Sequence, residues 1–368
     1  MLALFYPFLR MLVRPHPRDA APPRRILVTE LWHIGDVVIA LPFFAALRER
    51  FPGSRITLLA KPHAHEVLAG SGLVDEVIGF DFPWSYEDIE SRPRFPRIRD
   101  TIAVVQRLRR ERFDLAFDCS RDGRNHLLMF LGGSARRVGF AFGGGARLLT
   151  DAVPVGSLEM HRTEDWLRLL EPFGGNARRL EPRLSVSAAE RDWAKEFLHS
   201  KGVQPDDFLI AVHPGGSSRL KRWPLESFQA LAALASTEFN ARILWIVDPS
   251  GTGADGKLPK GSISVRPSLR QLLALLEQSR LLVCNDGGPM HLAAGVGTAT
   301  FAVFSWGKPE WWQPLGSVRH AFVQRMDITC RPCCGHCIYS EPICLTGLRF
   351  GTVATALESE LRAQASSR

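Results

Sequence analysis

The stretch LLVCNDGGPMHLAAG, residues 281–295, passes from an apolar run into a helical pattern through an asparagine, an aspartate and two glycines. Asn285 or Asp286 suits the cap of such a helix, and the proline after the glycines suits its first turn. A cap alone does not require Gly287 and Gly288, which leave their backbone amides unobstructed. Because bare amides at a helix N-terminus attract anions, the stretch predicts a strand, a phosphate-binding loop and a helix in succession.

Strand and helix patterns alternate in two series that a polar segment separates. The first series begins with the strand RRILVTELW at residues 24–32, and the second runs from FLIAVHPG at 208–215 to TATFAVFS at 298–305, which we expect to be the final strand. The segment between them, residues 176–192, has no long apolar period. Repeated β-α units indicate parallel sheets with covered faces. The expected fold class is therefore α/β, with two Rossmann-like domains whose sheets face a central cleft.

These patterns divide the chain into an apolar and basic lead (1–23), a first domain (24–184) and a second domain (185–368) that contains a cysteine-rich segment (330–344) and ends in an amphipathic helix. The net charge of +8 favours an anionic partner such as a nucleotide, a phosphorylated lipid or a membrane surface. Nucleic acid is the least favoured partner, because the basic residues are not interleaved with aromatic residues.

The lead MLALFYPFLRMLVRPHPR is interrupted by Pro7 and Arg10 and is too short to span a bilayer. It also lacks the initial positive charge and the clear cleavage site of a signal peptide. Contact with a membrane surface and a poorly ordered start are the two interpretations that remain.

A second glycine-rich loop follows a strand in AVHPGGSSRLKRW, residues 211–223, where amides, hydroxyls and Lys221 suit a diphosphate. The spacing is not that of a P-loop, and a flexible basic loop is the alternative. No Asp-x-Asp pair occurs in the chain, so lysine, hydroxyls and helix termini are expected to stabilise a leaving diphosphate in place of a carboxylate-held Mg²⁺. Over both loops, the candidate nucleotide-binding residues are Gly215, Gly216, Ser217, Ser218, Lys221, Asp286, Gly287, Gly288 and His291.

Polar residues also follow the strands of the first domain. Gly35 and Asp36 come after the first strand, in LWHIGDVVIALP. A carboxylate at a helix start is stabilised by about 0.3–1 kcal/mol, so Asp36 is either a helix cap or a functional group. Lys61 and His63 follow the second strand, where they are candidates for binding an anionic substrate.

Five of the seven cysteines lie close together in CRPCCGHCIYSEPIC. Their spacing suits a structural zinc site or an iron–sulfur cluster, and packed free thiols are the alternative. A metal would need four of the five, and the sequence leaves the choice open among Cys330, Cys333, Cys334, Cys337 and Cys344.

Together these pieces resemble the heptosyltransferase family, glycosyltransferase family nine, which has the GT-B fold. The resemblance covers roughly residues 25–360 and rests on IGDVVIALPFFAALRERFPGSRITLLAK, RRVGFAFGGGARLLTD, HPGGSSRLKRWPLESF, CNDGGPMHLAAG and the cysteine segment, in that order. It implies an inverting, metal-independent transferase without a required cofactor. The implied substrates are ADP-heptose and a lipopolysaccharide inner-core or related glycolipid acceptor, bound by the first domain. The implied location is the cytoplasmic face of the inner membrane, in peripheral contact with it.

The resemblance also implies roles for individual residues. Asp36 is similar to the family's general base, and Lys221 to the lysine that contacts the phosphates. Ser217 and Ser218 lie where the family has small hydroxyl residues near the same phosphates.

Two positions depart from the family pattern. Asp286 matches a family aspartate that is followed by Ser or Thr, but Gly287 stands in that place and removes one hydroxyl. The glutamate that the family uses for the donor ribose is missing, and Asp255 is the substitute candidate. These departures keep two other functions open: a sugar-nucleotide epimerase or hydrolase of the same fold, and a non-catalytic nucleotide-binding protein whose cysteine-rich module binds partners.

Overall fold

The contacts of the chain divide it into two compact units, residues 1–180 and 181–368. The sequence-based boundary at residue 184 falls just inside the second unit, where the N–H of Leu184 donates to the carbonyl of Gly295 at 2.8 Å. The computed structural model describes residues 21–30, 32–82, 84–85, 98–157, 159–174, 181–254, 258–330, 333 and 337–366.

Most of the predicted lead, residues 1–20, lies outside the described residues. No helix in the part of the chain that the structure describes is long and apolar enough to cross a bilayer.

Unit 1 contains one sheet in which every pairing is parallel. Its order is β3-β2-β1-β4-β5-β6. In the central strand β1 every residue after the first is buried, as expected for a strand covered on both faces. The strands are β1 (Arg25–Glu30), β2 (Arg55–Ala60), β3 (Glu76–Gly79), β4 (Leu115–Asp118), β5 (Arg136–Phe140) and β6 (Asp151–Val153).

The helical pattern after β1, in residues 36–52, is divided between two helices that meet at Ala40. Pro42 lies in the first turn of the second helix, where a missing N–H removes no helical hydrogen bond. The helices of unit 1 are α1 (Ile34–Ile39), α2 (Leu41–Arg50), α3 (Ala64–Leu68), α4 (Ile98–Glu111), α5 (Gly123–Leu131) and α6 (Arg162–Leu167).

Unit 2 repeats this topology, with the order β12-β11-β10-β7-β8-β9 and parallel pairing throughout. Its strands are β7 (Leu209–His213), β8 (Arg242–Ile246), β9 (Ile263–Val265), β10 (Leu281–Asn285), β11 (Ala299–Phe304) and β12 (His320–Gln324). Its helices are α7 (Ala188–Ser200), α8 (Leu225–Phe239), α9 (Leu269–Glu277), α10 (Gly288–Gly295), α11 (Pro309–Trp312), α12 (Ile343–Thr346) and α13 (Phe350–Ser366).

The prediction that residues 298–305 form the final strand is wrong, because β12 follows and pairs with β11. The strand β12 lies at the edge of the sheet and is mostly half-buried, and its apolar run, AFV, is only three residues long. The predicted C-terminal amphipathic helix is present as α13, and Val353, Leu357 and Leu361 bury one face of it.

In each sheet, successive strands are added first on one side of the first strand and then on its other side. The strand order therefore reverses between two central neighbours, which are β1 and β4 in unit 1 and β7 and β10 in unit 2. Ligands of open parallel sheets bind outside the carboxyl ends of such a pair. The candidate residues after β1, β7 and β10 therefore lie where each unit is built to bind a ligand.

Candidate functional site

Asn285 joins the two predicted phosphate-binding loops of unit 2. It is the buried last residue of β10. Its side-chain amide donates to the carbonyls of Pro214 and Gly215 at 2.8 and 3.0 Å, and its Oδ1 accepts from the N–H of Trp223 at 3.0 Å. The loop after β7 is thus fixed against the loop after β10. Sequence reasoning treated Asn285 only as a candidate cap; the signal for its role is an asparagine that ends a buried strand.

The loop after β7 passes very close to the end of β8. A Cβ on Gly215 would lie 2.7 Å from the Cβ and Oδ2 of Asp248, so only glycine fits there. Ser218 is buried, and its Oγ accepts from the N–H of Leu220 at 3.2 Å, which closes a short 3-10 turn. Since the hydroxyl only accepts in this bond, it can still donate to a ligand. Ser217 is exposed, and Gly216 is half-buried.

Lys221, at the end of this turn, lies over an aromatic ring. Its Nζ is 5.1 Å from the ring centroid of Trp306, which belongs to the loop after β11. A cation–π contact of this kind contributes about 0.5–1 kcal/mol at an exposed site. It restrains the ammonium group beside the two phosphate-binding loops. Trp306 was missed from the sequence, where it follows an apolar strand without any motif.

Asp286 contacts the same loop after β11, because its Oδ2 accepts from Ser305 Oγ at 3.3 Å. Neither Asp286 nor Asn285 caps the helix; the N-cap of α10 is Gly287, without a side-chain hydrogen bond. The expectation of a side-chain cap is therefore wrong, since both side chains bond neighbouring loops instead.

Gly287 and Gly288 begin α10, and His291 lies buried one turn later. Gly287 has an extended backbone, with φ of 166°, which any residue adopts. An added Cβ there would meet no described heavy atom within 4 Å. A side chain at position 287 would therefore project into open space at the start of the helix.

In unit 1, Asp36 is the third residue of α1 and is half-buried. Its Oδ2 accepts from the N–H of His33 at 2.9 Å, so the carboxylate stabilises the start of the helix from within. Asp36 therefore both stabilises the start of α1 and lies near the carboxyl end of β1.

Glu30, the last residue of β1, is a buried acid that sequence reasoning missed. Burial, and then the charges on Asp36 and Asp118, raise the pKa of Glu30 well above its usual value. Its Oε1 accepts from the N–H of Trp32 at 3.3 Å, while its Oε2 has no partner among the described residues. Burial therefore favours the protonated form of Glu30. The signal in the sequence is an acid that directly ends an apolar strand.

Asp118, at the end of β4, is a buried acid whose carboxylate is stabilised by neighbouring side chains. Its Oδ1 accepts from Ser120 Oγ at 2.8 Å and Asn125 Nδ2 at 2.9 Å, and its Oδ2 lies 3.0 Å from Nε2 of the buried His126. Burial alone would raise the pKa of Asp118, but the interactions with His126, Asn125 and Ser120 outweigh it and hold the pKa below its usual value. Asp118 is therefore a charged anchor near Glu30, whose pKa is shifted in the opposite direction.

The acceptor candidates Lys61 and His63 follow β2, next to β1 in the sheet. Lys61 is buried. Burial, then the charges of Lys61 and His33, lower the pKa of His63 to about 4. At neutral pH His63 is uncharged, so its ring can form hydrogen bonds to a bound substrate, while the ammonium group of Lys61 supplies a positive charge.

The cysteine segment encloses a small cavity in unit 2. Four of the predicted ligands, together with Trp306, Ile338 and Ile343, line a space of about 320 Å³; they are Cys330, Cys333, Cys337 and Cys344. Burial, then the neighbouring thiols, raise the pKa of Cys344 to about 11. Among the described residues no three His, Cys, Asp or Glu side chains are grouped closely enough to hold a metal ion. Cys334 and the ribose candidate Asp255 lie outside the described residues.

Comparison with known proteins identifies the family. The model of glycosyltransferase family 9 (heptosyltransferase) matches residues 101–340. The chain belongs to this family. Lipopolysaccharide heptosyltransferase 3 of Escherichia coli K12 is 20% identical over 294 residues, which cover 76% of this chain and 82% of that protein.

Solved structures of the family share the fold. The family 9 glycosyltransferase of Veillonella parvula superposes with a TM-score of 0.74 at 21% identity, over 92% of this chain and 97% of that one. The E. coli ADP-heptose lipopolysaccharide heptosyltransferase II superposes with a TM-score of 0.70 at 18% identity, over 93% and 99%. The expected family, the GT-B fold and the glycosyltransferase class of enzyme are confirmed.

The burial of Glu30 generates a prediction about stability and pH. Folding raises the pKa of Glu30 above its value in the unfolded chain, which is about 4.3. Above that pH the native chain therefore binds more protons than the unfolded chain. The free energy of unfolding then decreases as the pH rises from there towards the folded-state pKa. Glu30→Gln keeps the shape without the ionisation. Its free energy of unfolding should exceed that of the wild type by about 1 kcal/mol or more near pH 8, or about 2–4 °C in Tm, and the difference should shrink towards pH of about 4.

Thermal unfolding of both proteins across this pH range measures the difference. Glu196→Gln, at an exposed position of α7, is the control and should show no such trend. A Glu30→Gln difference that stays constant over the range would show that Glu30 is ionised in the folded chain.

Proposed function

We propose that the chain is an inverting transferase that moves a heptose, or a related sugar, from ADP-heptose to a lipopolysaccharide inner-core or related glycolipid acceptor. The observation that carries the proposal is the pair of loops that Asn285 joins, with Lys221 held beside them. The names of similar proteins supply the substrate class: lipopolysaccharide heptosyltransferases 3 and 2 of E. coli, and a solved ADP-heptose lipopolysaccharide heptosyltransferase.

The proposed reaction is a single displacement at the anomeric carbon. An acceptor hydroxyl oxygen forms the new bond to that carbon while the bond to the diphosphate oxygen breaks on the opposite face. The electron pair of the broken bond leaves with ADP, and the hydroxyl proton passes to Asp36. A general base of this kind accelerates a reaction typically by about 10²–10⁴-fold.

The leaving ADP gains negative charge in the transition state, and unit 2 is the part of the chain that would stabilise it. The ammonium of Lys221, the hydroxyls of Ser217 and Ser218 and the amides at Gly287 and Gly288 are the proposed donors. Groups fixed before the reaction stabilise developing charge without reorganisation, and the Asn285 bridge and the Trp306 ring provide that fixation. Because the chain has no Asp-x-Asp pair, we propose that transfer needs no metal ion.

Glu30 makes Asp36 a usable base in this mechanism. Two neighbouring carboxyl groups do not both ionise easily, and the more buried one keeps the proton. Glu30 is fully buried whereas Asp36 is half-buried. The proposed assignment is therefore a neutral Glu30 and an ionised Asp36 at pH 7.

The acceptor is proposed to contact unit 1, with Lys61 and His63 near its anionic groups. A lipid-linked acceptor requires the enzyme to work at a membrane surface. We therefore propose a peripheral location at the cytoplasmic face of the inner membrane.

The base assignment predicts the effect of Asp36→Asn. Transfer from ADP-heptose to a lipid A–inner-core acceptor should fall by about 10²–10⁴-fold, because an amide cannot take the proton. The Kd for ADP, measured by calorimetry, should stay close to that of the wild type. Glu49→Gln, at an exposed position of α2, is the control. Turnover of Asp36→Asn within about threefold of the wild type would remove Asp36 as the base.

The open space at Gly287 predicts a gain of affinity. Gly287→Ser should fold normally and place a hydroxyl at the start of α10. A new hydrogen bond to the diphosphate contributes about 0.5–1.5 kcal/mol, so ADP should bind about 2–10-fold more tightly. Gly287→Ala adds the Cβ without the hydroxyl and should bind as the wild type does. If the serine variant binds no more tightly than the alanine variant, the diphosphate does not contact this position.

For the cysteine segment, a structural metal site and packed free thiols both stay open, since thiolates are suitable ligands for zinc and iron. With a metal site, protein purified without chelator should contain about one metal ion or cluster per chain, and Cys330→Ser should lose it. Elemental analysis with less than roughly a tenth of that content would identify the residues as packed free thiols.

A further inference from the structure

A basic cavity lies at the edge of unit 1 opposite to Asp36. It has a volume of about 680 Å³ and lies where β1 begins and α4 ends. Five arginines and two acids line it, which leaves an excess of positive charge; these residues are Arg24, Arg25, Arg109, Arg110, Arg112, Glu111 and Asp114.

Both acids of the cavity already have partners. Glu111 pairs with the guanidinium of Arg25 at 2.8 Å. Asp114 Oδ2 accepts from the backbone N–H groups of Arg24 and Arg25, at 2.8 and 2.9 Å. Glu111 is thus paired with Arg25, and Asp114 bonds to no guanidinium group of the cavity among the described residues.

Four guanidinium groups of the cavity have no carboxylate partner among the described residues, namely those of Arg24, Arg109, Arg110 and Arg112. Other arginines of the unit do have one: Arg48 pairs with Asp75, and Arg136 pairs with Asp151. Four guanidinium groups without a carboxylate partner among the described residues thus share one cavity. Arginines at the end of a helix also complement its dipole, but that accounts neither for Arg24, which precedes β1, nor for the concave shape.

Two exposed isoleucines lie on the same helix as three of the lining residues. Ile98 and Ile102, in the first turns of α4, are 60% and 50% exposed. They are four residues apart, and Arg109 follows seven residues later, so all three lie along one side of the helix. A helix side that combines exposed apolar residues with basic ones is typical of contact with a bilayer interface.

We propose that this face of unit 1, the arginine cavity with Ile98 and Ile102, docks on an anionic phospholipid bilayer. The arginine forks match the geometry of lipid phosphates, which enter the cavity. The two isoleucines contact the boundary between headgroups and acyl chains. Two weak signals of different kinds together hold a protein on a membrane, where one alone gives marginal binding. The proposal names a surface that the proposed transfer reaction does not use, and it stands whether or not that reaction is correct.

The test is cosedimentation of the full chain with vesicles. Neutral phosphatidylcholine vesicles are compared with vesicles in which one lipid in three is phosphatidylglycerol. The wild type should bind the anionic vesicles, and binding should weaken as salt is raised from roughly 0.05 to 0.5 M. Each arginine near an anionic bilayer strengthens binding about fivefold, so R109Q/R110Q/R112Q should lose about 100-fold. I98S/I102S should lose about tenfold, at low and at high salt alike.

The matched control is R183Q/R266Q/R349Q, which removes the same charge from exposed positions of unit 2. It should bind vesicles as the wild type does, within about twofold. Equal loss in the control and in the cavity variant would overturn the proposal, because only net charge would then matter. Thermal stabilisation by inorganic pyrophosphate that depends on the cavity arginines, without vesicle binding, would also overturn it, since the cavity would then take a free phosphate.

Calorimetry with ADP on the same preparations keeps this test separate from that of the transfer reaction. R109Q/R110Q/R112Q should bind ADP as the wild type does, because none of the three belongs to the proposed nucleotide site. Loss of vesicle binding with ADP binding retained supports the docking surface. Retained vesicle binding in a chain that does not bind ADP would contradict only the proposed donor site.

Discussion

The side-chain amide of Asn285 is the interaction on which the proposed nucleotide site depends. The parallel order of the sheet brings the ends of β7 and β10 together, but no ladder of backbone hydrogen bonds continues beyond the strands to hold their loops. An asparagine offers two donors and an acceptor on one short side chain, and Asn285 uses them on Pro214, Gly215 and Trp223. Aspartate could not donate, and serine is too short to reach three groups. Buried polar atoms left unpaired cost about 1–3 kcal/mol each, so this arrangement resists opening.

Differences in burial separate the acids at the carboxyl end of the sheet in unit 1. Asp118 is buried among donors that hold its pKa below the usual value, whereas burial raises the pKa of Glu30 well above its usual value. Asp36 is half-buried, and its Oδ2 accepts from the backbone N–H of His33. Three carboxyl side chains in three environments thus provide a charged anchor, an acid whose pKa is raised, and the proposed base. An extra negative charge beside Asp36 would make its protonated form more stable and remove the base at neutral pH.

The sequence predicts the two α/β units and their parallel sheets because strand and helix periods are local. It also predicts the loops after β7 and β10, since glycines and a lysine directly follow apolar runs. The long-range partners are not visible in this way. The contact between Asn285 and Pro214 spans 71 residues, and that between Thr29 and Asp118 spans 89. The strand β12 was missed because an edge strand buries one face only partly, and the expected caps of α10 because their side chains bond to other loops.

The direction of the strands in unit 1 separates two kinds of chemistry. All strand starts lie at one edge of a parallel sheet; the arginine cavity lies where β1 begins, whereas β1 and β4 end in the buried acids Glu30 and Asp118. Each residue of a strand adds about 3.3 Å, so β1 separates the basic edge at Arg25 from its acidic end at Glu30 by about 17 Å. If the basic edge docks on a bilayer, an acceptor hydroxyl must extend about this distance beyond the lipid phosphates. An oligosaccharide of several sugars reaches that far, and a hydroxyl on the lipid headgroup itself does not. Docking through this edge would therefore favour a sugar acceptor that is already elongated over one at the membrane surface.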